Sequence, residues 1–187
     1  MAISVRSLSF GYDKLIFDDI NVSFNESSIS CIFGLNGSGK STLIELIIGN
    51  LKPINGEITV KIDAKLGVVL QFPENLIFCN TVYDEILSIA KSKYVAEQII
   101  KKLNFDDLKG INPHNLSDGQ KRMMFIMSIL YCYDICIFDE PFTSMDHETK
   151  NNIKKMFKDF KNEGKTIVYT TNRRMDTDIA DFVLEIK

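Results

Sequence analysis

The 187-residue sequence has little histidine, no C-x-x-C pair and no long apolar run. Its two histidines and four cysteines form no cluster of metal ligands, so a zinc site is not expected. No stretch reaches the roughly 20 apolar residues that a membrane-spanning helix needs. The first ten residues lack the charged and apolar regions of a secretory signal. These absences favour a cytosolic protein with reduced, mostly buried thiols.

An excess of positive charge is also absent. The net charge is -3 and no polybasic block occurs, so neither nucleic acid nor anionic lipid is an expected partner. The hydrophobic fraction of 45% and the charged fraction of 25% are typical of a folded soluble protein. A chain of 187 residues is long enough for one well-filled core and too short for two ordinary domains. We therefore expect a single domain over residues 1–187.

The order of apolar patterns predicts an α/β domain with a mainly parallel sheet. Two segments alternate like half-exposed strands, residues 3–10 and 15–24. Short apolar runs predict buried strands at 29–33, 66–70, 135–138 and 166–170. Helical patterns cover residues 41–50, 82–91, 94–103, 117–132 and 147–163. Residues 72–133 are mostly helical, which indicates a helical subdomain inserted into a core formed by residues 1–71 and 134–187.

Residues 34–41 read GLNGSGKS and fit the pattern G-x-x-x-x-G-K-[ST] between a predicted strand and a predicted helix. Glycines let successive backbone N–H groups face a phosphate, and the helix adds its positive N-terminal end. Lys40 is expected to contact the β- and γ-phosphates, and Ser41 to bind Mg²⁺. The predicted ATP-binding residues here are Gly34, Asn36, Gly37, Ser38, Gly39, Lys40, Ser41 and Thr42. The alternative is a glycine-rich turn without a ligand, and the loop alone does not choose among kinases, GTPases and other nucleotide hydrolases.

Two acids follow the predicted strand 135–138. Strand ends of this kind carry ligand-binding groups at the carboxyl edge of a parallel sheet. Asp139 would hold Mg²⁺, and Glu140 would act as the general base for an attacking water. The alternative is a pair of acids that merely caps a strand. A glutamate directly after the Mg²⁺-binding aspartate favours water as the phosphate acceptor, hence hydrolysis.

Residues 116–120 read LSDGQ and open a predicted helix. Ser117 suits the N-cap and Gln120 the partner position of a capping box, so a well-capped helix is one interpretation. Between the phosphate loop and the acidic strand, however, this segment resembles the L-S-G-G-Q signature of ABC ATPases, with Asp118 in place of the first glycine. The resemblance runs from end to end. It implies a P-loop NTPase core with a mainly parallel sheet, an N-terminal antiparallel β subdomain and an inserted α-helical subdomain.

The resemblance also implies roles for residues outside the phosphate loop. Tyr12 falls where the family stacks an aromatic ring on adenine, although it is also consistent with a tyrosine covering a strand. Gln71 matches the glutamine that contacts Mg²⁺ and takes part in catalysis. The family works as a dimer of ATPase subunits, identical or different, and residues 144–146 resemble the loop that crosses the interface. The residues expected to reach the ATP held by the second subunit are Ser117, Gly119 and Gln120.

Asn172 departs from the family pattern. The family has a Thr-His pair after the strand 166–170, and its histidine contacts the γ-phosphate; this chain has Thr171 and Asn172. An asparagine amide still donates a hydrogen bond but cannot carry positive charge. We therefore expect Asn172 to take part in catalysis and the site to bind ATP normally and hydrolyse it slowly.

Residues 70–78 and 81–86 resemble the energy-coupling-factor ATPases, which drive uptake of vitamins and of metal ions such as cobalt. This likeness implies a transmembrane coupling subunit and a place on the cytoplasmic face of the cell membrane. Phe72, Leu76 and Phe78 would line a groove for that subunit or, alternatively, pack under the helical subdomain. Alternatives are an ABC exporter ATPase, a soluble ABC ATPase without a transport role, and a hydrolysis-impaired partner in a heterodimer.

Overall fold

The computed structural model describes residues 1–71 and 76–187, and this part of the chain forms two β-sheets and five α-helices. The strands are β1 (Ile3–Gly11), β2 (Leu15–Phe24), β3 (Ile29–Phe33), β4 (Asn55–Val60), β5 (Leu66–Val69), β6 (Ile135–Phe138), β7 (Thr166–Thr171) and β8 (Phe182–Glu185). The helices are α1 (Lys40–Ile47), α2 (Val82–Ala90), α3 (Lys93–Leu103), α4 (Asp118–Cys132) and α5 (His147–Asn162). Short 3-10 turns lie at Pro113–Asn115 and Arg174–Thr177.

The larger sheet has the strand order β5-β6-β7-β3-β8, and its neighbouring strands run parallel. Strands β3, β6 and β7 are almost wholly buried, as expected for strands covered on both faces. Alternate residues point to opposite faces: Ile135 and Ile137 join one apolar cluster, and Cys136 and Phe138 join the other. Because the strands are parallel, the carboxyl ends of β6, β7 and β3 lie side by side.

Different elements cover the two faces of this sheet. Helices α2 to α5 bury their apolar sides on the face that carries Phe138, together with Ile86, Ile99 and Ile153. Helix α1 and the smaller sheet cover the other face, with Leu43 packed in that cluster. The phosphate-loop candidate lies between β3 and α1, so it is anchored by both a buried strand and a buried helix.

The smaller sheet is antiparallel and has the strand order β2-β1-β4. Strands β4 and β8 have no counterpart among the strands predicted from the sequence. Each lies at the edge of its sheet and is largely exposed, and Pro53, Asn55 and Gly56 resemble a turn at the start of β4. Edge strands of this kind lack the buried run or regular alternation by which the predicted strands are recognised.

The predicted fold class is confirmed: an α/β domain with a parallel sheet, an N-terminal antiparallel sheet and a helical segment between β5 and β6. Helices α2, α3 and α4 occupy that segment within the described residues. The division of the chain at residues 71/72 and 133/134 stays a prediction. None of the helices in residues 1–71 and 76–187 combines the length and apolarity needed to cross a bilayer.

Candidate active site

The candidate site lies at the carboxyl ends of β3, β7 and β6, three neighbouring strands of the parallel sheet. The loop 34–39 follows β3, Asp139 and Glu140 follow β6, and Asn172 follows β7. Sequence separation is large, yet the topology brings these groups to one edge of the sheet. The loop, the two acids and Asn172, which we call the cis half of the site, therefore lie at a single place.

The loop between β3 and α1 has a backbone that depends on glycine. Gly37 and Gly39 have φ angles of 83° and 96°, in the left-handed region that glycine adopts without steric cost. A Cβ at Gly39 would also lie 2.8 Å from Ile16 Cγ2, and a Cβ at Gly34 would clash with Ser38 Oγ. The Gly34 N–H donates to Thr171 O at 3.2 Å, which ties the loop to β7.

Lys40 is the buried cation of this loop. Its side chain is 5% exposed, and Nζ donates to Gly34 O and to Leu35 O, each at 3.0 Å. The same Nζ lies 3.8 Å from Glu140 Oε1. Lys40 therefore lies between the loop carbonyls and the acidic pair, where its ammonium can meet a phosphate and its charge offsets that of Glu140.

Ser38 supplies a further observation about the loop. Its Oγ is buried and has no hydrogen-bond partner within the part of the chain that the structure describes. Buried hydroxyls are normally paired, since an unpaired one costs free energy of desolvation. A loop with an unpaired hydroxyl, glycine-dependent backbone and a buried lysine fits an anion such as a triphosphate.

Ser41, Asp139 and Thr170 form a chain of hydrogen bonds beside the loop. Ser41 Oγ donates to Asp139 Oδ2 at 2.7 Å, and Thr170 Oγ1 donates to Asp139 Oδ1 at 2.5 Å. Asp139 is buried. The donor set is a hydroxyl and a carboxylate, hard oxygen ligands of the kind that Mg²⁺ binds beside a substrate phosphate. The residues present therefore fit a magnesium ion.

Glu140 has an unusual backbone and several partners. Its φ angle is 47°, in the left-handed region where a residue other than glycine is strained. Its N–H donates to Thr170 Oγ1 at 2.8 Å, and its Oε2 accepts from Thr143 Oγ1 at 2.9 Å. Arg122 Nη1 donates to Glu140 O at 3.4 Å and to Thr143 O at 2.8 Å. These contacts hold the strained backbone of Glu140 in place, and the bond from Thr143 Oγ1 orients its carboxylate.

Asn172 lies against the phosphate loop. Its Nδ2 donates to Asn36 Oδ1 at 2.7 Å, so the residue that departs from the family pattern contacts the phosphate loop. Thr42, another residue predicted to bind ATP, is half-buried on the first turn of α1. The proposed contacts of these side chains with ATP stay predictions.

Tyr12 and Gln71 are both exposed. Tyr12 is 68% exposed, and its ring packs edge-on against Phe10 with centroids 5.2 Å apart. Gln71 follows the carboxyl end of β5, beside β6 in the sheet. Phe72 lies outside the described residues, whereas Leu76 and Phe78 are exposed, by 45% and 83%. Exposure leaves Tyr12 and Gln71 available to a ligand.

The signature segment belongs to a different place on the surface. Ser117 caps α4: its Oγ accepts from Gln120 N at 3.2 Å, and Gln120 Oε1 accepts from Ser117 N at 2.9 Å, a complete capping box. Ser117, Gly119 and Gln120 line a cleft of about 680 Å³ together with Met145 and Asp146. The phosphate loop does not line this cleft. The structure thus brings the residues of the cis half together, and the signature residues line a separate cleft.

Three residues at the site were missed by sequence reasoning: Thr170, Thr143 and Arg122. Thr170 lies near the carboxyl end of β7, the strand beside β6. Its place in a parallel sheet was therefore the signal that could have predicted its contact with Asp139. Thr143 lies three residues after Glu140, in a turn closed by a bond from Thr143 N to Glu140 O at 3.2 Å. Arg122 has no local signal, because its partners are 18 and 21 residues away.

The four cysteines are free thiols away from these contacts. Burial raises the pKa of the Cys31 and Cys136 thiols to about 12. Burial also raises the pKa of Cys79 and Cys132 above the ordinary value of 9.0. Protonated thiols are poor nucleophiles and poor metal ligands, so these side chains serve packing.

Comparison with known proteins adds to this geometry. A family model described as ABC transporter matches residues 17–143. The energy-coupling factor transporter ATP-binding protein EcfA1 of Fusobacterium nucleatum is 32% identical over 196 residues, with 93% of this chain and 74% of that protein covered. EcfA1 of Mycoplasma pneumoniae is 32% identical over 206 residues, covering 98% and 74%. The structure of cbiO1 from Clostridium perfringens, part of the ABC transporter complex cbiONQ, has a TM-score of 0.89 at 26% identity, covering 100% of this chain and 84% of that one.

Proposed function

The chain belongs to the ABC transporter family, and from this premise we propose that it is the ATP-binding and ATP-hydrolysing subunit of an energy-coupling-factor importer. One observation carries the proposal. Lys40 of the phosphate loop lies 3.8 Å from Glu140, and Ser41 is bonded at 2.7 Å to Asp139, so phosphate-binding and hydrolytic groups share one site. A glycine turn without a ligand, or acids that merely cap a strand, would not require these buried contacts.

ATP binding rests on the loop and on Lys40. Backbone N–H groups of residues 34–41 point at the β- and γ-phosphates, and the Lys40 ammonium moves from its loop carbonyls to phosphate oxygens. Charge-assisted bonds of this kind are stronger than the neutral bonds they replace. Tyr12, which is already exposed, stacks on the adenine.

Ser41, Gln71 and Asp139 would hold a magnesium ion beside the phosphates. When bound, the ion neutralises phosphate charge and orients the terminal phosphoryl group. Thr170 keeps the Asp139 carboxylate turned toward Ser41, since its hydroxyl occupies Asp139 Oδ1 at 2.5 Å.

Hydrolysis uses Glu140 as general base. The carboxylate takes a proton from water while the water oxygen bonds to the γ-phosphorus and the bond from that phosphorus to the β–γ bridging oxygen breaks. Products are ADP and inorganic phosphate. The Glu140 carboxylate is nearly buried, with 11% side-chain exposure, which keeps bulk water from competing with the positioned one.

A second ATPase subunit, identical or different, completes the site. In the pair, Ser117, Gly119 and Gln120 of this chain reach the γ-phosphate held by the other subunit. The Ser117 hydroxyl accepts a bond from Gln120 N and keeps its own proton to donate to a phosphate oxygen. Because donors from both subunits meet one phosphate, ATP joins the pair and hydrolysis loosens it.

The identity of Asn172 favours slow ATP hydrolysis at this site. Its amide donates to Asn36, so it is placed beside the loop but carries no charge for the developing phosphate anion. The same observation favours a second candidate function, a hydrolysis-impaired subunit paired with a more active ATPase. The presence of Lys40, Asp139 and Glu140 favours the enzyme.

Transport requires a transmembrane coupling subunit, which places this chain on the cytoplasmic face of the membrane. Leu76 and Phe78, which follow Gln71 in the sequence, have exposed apolar side chains. They offer that subunit an apolar contact. The transported substrate is a vitamin or a metal ion, in keeping with relatives that are energy-coupling factor transporter proteins. Nucleic acid is not a partner of this acidic chain, whose net charge is -3.

Substitution of Glu140 tests the function. We expect Glu140→Gln to lower kcat for ATP hydrolysis at least about a hundredfold, because the amide cannot accept the proton, while ATP affinity is kept. Phosphate release and nucleotide binding by the purified protein measure the two effects. Glu97→Gln, at an exposed position of α3, is the matched control and should match the parent. Parental hydrolysis by Glu140→Gln would refute the assignment of the base.

A further inference from the structure

The turn from Glu140 to Thr143 bonds both the backbone and the carboxylate of Glu140. The Thr143 N–H donates to Glu140 O at 3.2 Å, and the Thr143 hydroxyl donates to Glu140 Oε2 at 2.9 Å. Backbone and side chain of Thr143 therefore both bond the same residue. The arrangement needs the left-handed backbone of Glu140, whose φ angle is 47°. Such strain persists where the surrounding contacts over-determine it.

The two carboxylate oxygens of Glu140 have different neighbours. Oε2 accepts the Thr143 hydroxyl, whereas Oε1 lies 3.8 Å from Lys40 Nζ, on the side of the phosphate loop. With Oε2 occupied, rotation about the last side-chain bond is restricted and Oε1 stays turned toward the phosphates. A freely rotating carboxylate would present a productive oxygen for only part of the time.

Arg122 holds the turn through two hydrogen bonds to its backbone. Its Nη1 donates to Thr143 O at 2.8 Å and to Glu140 O at 3.4 Å, so one guanidinium spans both ends of the turn. Arg122 belongs to α4, the helix that Ser117 caps. The turn is therefore fixed to a helix as well as to its own strand, and Thr143 has little freedom to leave Glu140.

We propose that Thr143 is a positioning residue for ATP hydrolysis, which acts by holding Glu140 Oε2 so that Oε1 faces the attacking water. The proposal rests on the proposed role of Glu140 as general base. It assigns Thr143 no contact with ATP, so the residue affects the chemical step and leaves nucleotide affinity unchanged. The hydroxyl is the active part of the side chain, and a serine can replace it.

Thr143→Val removes the hydroxyl and keeps the shape of the side chain. Loss of a hydrogen bond to a charged group predicts a kcat about tenfold lower, with KM for ATP within roughly twofold of the parent. Thr143→Ser should restore kcat to within about threefold, because it restores the donor. Thr143→Ala also lacks the hydroxyl and should show the same tenfold loss, so it tests the proposal if the valine variant does not fold. Melting temperatures check that each variant is folded.

Thr177→Val is the matched control. The Thr177 hydroxyl donates to Arg174 O at 2.9 Å, also three residues back, but outside the site. This variant should keep the parental kcat.

Three outcomes would overturn the proposal: parental kcat in folded Thr143→Val and Thr143→Ala, a rise in KM with kcat unchanged, or a serine variant as slow as valine. Glu140→Gln, measured alongside, separates two kinds of failure. If Glu140→Gln is inactive and Thr143→Val is parental, only the role of Thr143 fails. If Glu140→Gln hydrolyses ATP at the parental rate, or the parent does not hydrolyse ATP, the proposed function fails and this role with it.

Discussion

The phosphate-loop end of the molecule and the signature end are built differently. At the first, side chains from distant parts of the chain bond one another: Ser41 and Thr170 both bond Asp139, and Asn172 bonds Asn36. At the second, Ser117 and Gln120 bond each other within the first turn of α4. One end is fixed by the tertiary fold, and the other is a local helix cap at the edge of an open cleft.

This difference indicates that the two ends have different roles in the proposed ATP site. The cis half is fixed by contacts between distant parts of the chain, which hold Ser41, Asp139 and Glu140 in place. The signature half can form a further hydrogen bond, because Ser117 is exposed and its hydroxyl still has a proton to donate. We propose that a complete site combines the cis half of one subunit with the signature half of another.

Mutations that damage one half of the site at a time have the largest expected effect on ATP hydrolysis. Lys40→Ala removes the cation of the cis half, and Ser117→Ala removes the donor of the signature half. Each variant alone should hydrolyse ATP at least about a hundredfold more slowly than the parent, because both halves of every site are needed. In a mixture, one kind of dimer pairs an intact phosphate loop with an intact signature, so hydrolysis should return. Phosphate release before and after mixing measures it.

The matched mixture combines Lys40→Ala with Ser41→Ala. Both changes damage the cis half, so no pairing of these subunits contains an intact phosphate loop, and mixing should restore nothing. Recovery in this mixture as well, or in neither mixture, would contradict a site shared between two copies of the chain.

Asn172→His sharpens the comparison within the cis half. The new imidazole can donate a hydrogen bond as the amide does, and below about pH 6.5 it also carries positive charge. We expect single-turnover hydrolysis to rise roughly three- to tenfold and to gain a dependence on pH near neutrality, from the added interaction with the phosphate charge. Quenched-flow measurement of the bound nucleotide gives the rate. Asn151→His, at an exposed position of α5, is the control, and equal rates for parent and Asn172→His would refute the explanation.

The two ends also differ in how far the sequence reveals them. The phosphate loop, the acidic pair and the capping box each lie within a few consecutive residues, so a local pattern is enough to predict them. Thr170 lies 31 residues from its partner Asp139, and Arg122 lies 21 from Thr143. Contacts at such separations depend on which strands and helices become neighbours. The sequence shows the residue types, and only the fold shows which of them meet.

The strands illustrate the same limit. Strands β3, β6 and β7 are buried runs whose composition reveals them, and their predicted bounds agree with the structure to within a residue. Strand β4 pairs with β1 at Ile3 to Val60, and its existence depends on that long-range pairing more than on its own residues. Half-exposed edge strands are therefore the part of this fold that a single sequence predicts least well.

Asp181 offers a change that should disturb neither half. It lies at the amino ends of β3 and β8, opposite the site, where Oδ2 accepts from Ile29 N at 2.8 Å and Oδ1 from Lys161 Nζ at 2.7 Å. Burial alone would raise the pKa of Asp181, but these two hydrogen bonds outweigh it and hold the pKa below the ordinary 3.8. Because the folded state has the lower pKa, the charged form stabilises the fold above pH 3.8, and this contribution is lost as the pH falls through the folded pKa.

Asp181→Asn should therefore have the smallest effect, and one on stability alone. The bond from Ile29 survives on the amide oxygen, whereas the charged bond to Lys161 is lost at a largely exposed position where solvent screens it. We expect the melting temperature to fall by about 2 °C at pH 7 and the difference from the parent to shrink below pH 3.8, with kcat and ATP affinity unchanged. Calorimetry from pH 7 to pH 3 measures the difference, and Asp106→Asn, at an exposed position, is the control. A gap that stayed constant over that range would mean that the charge of Asp181 does not stabilise the fold, and a loss of ATPase activity would mean that the two edges of the sheet are coupled.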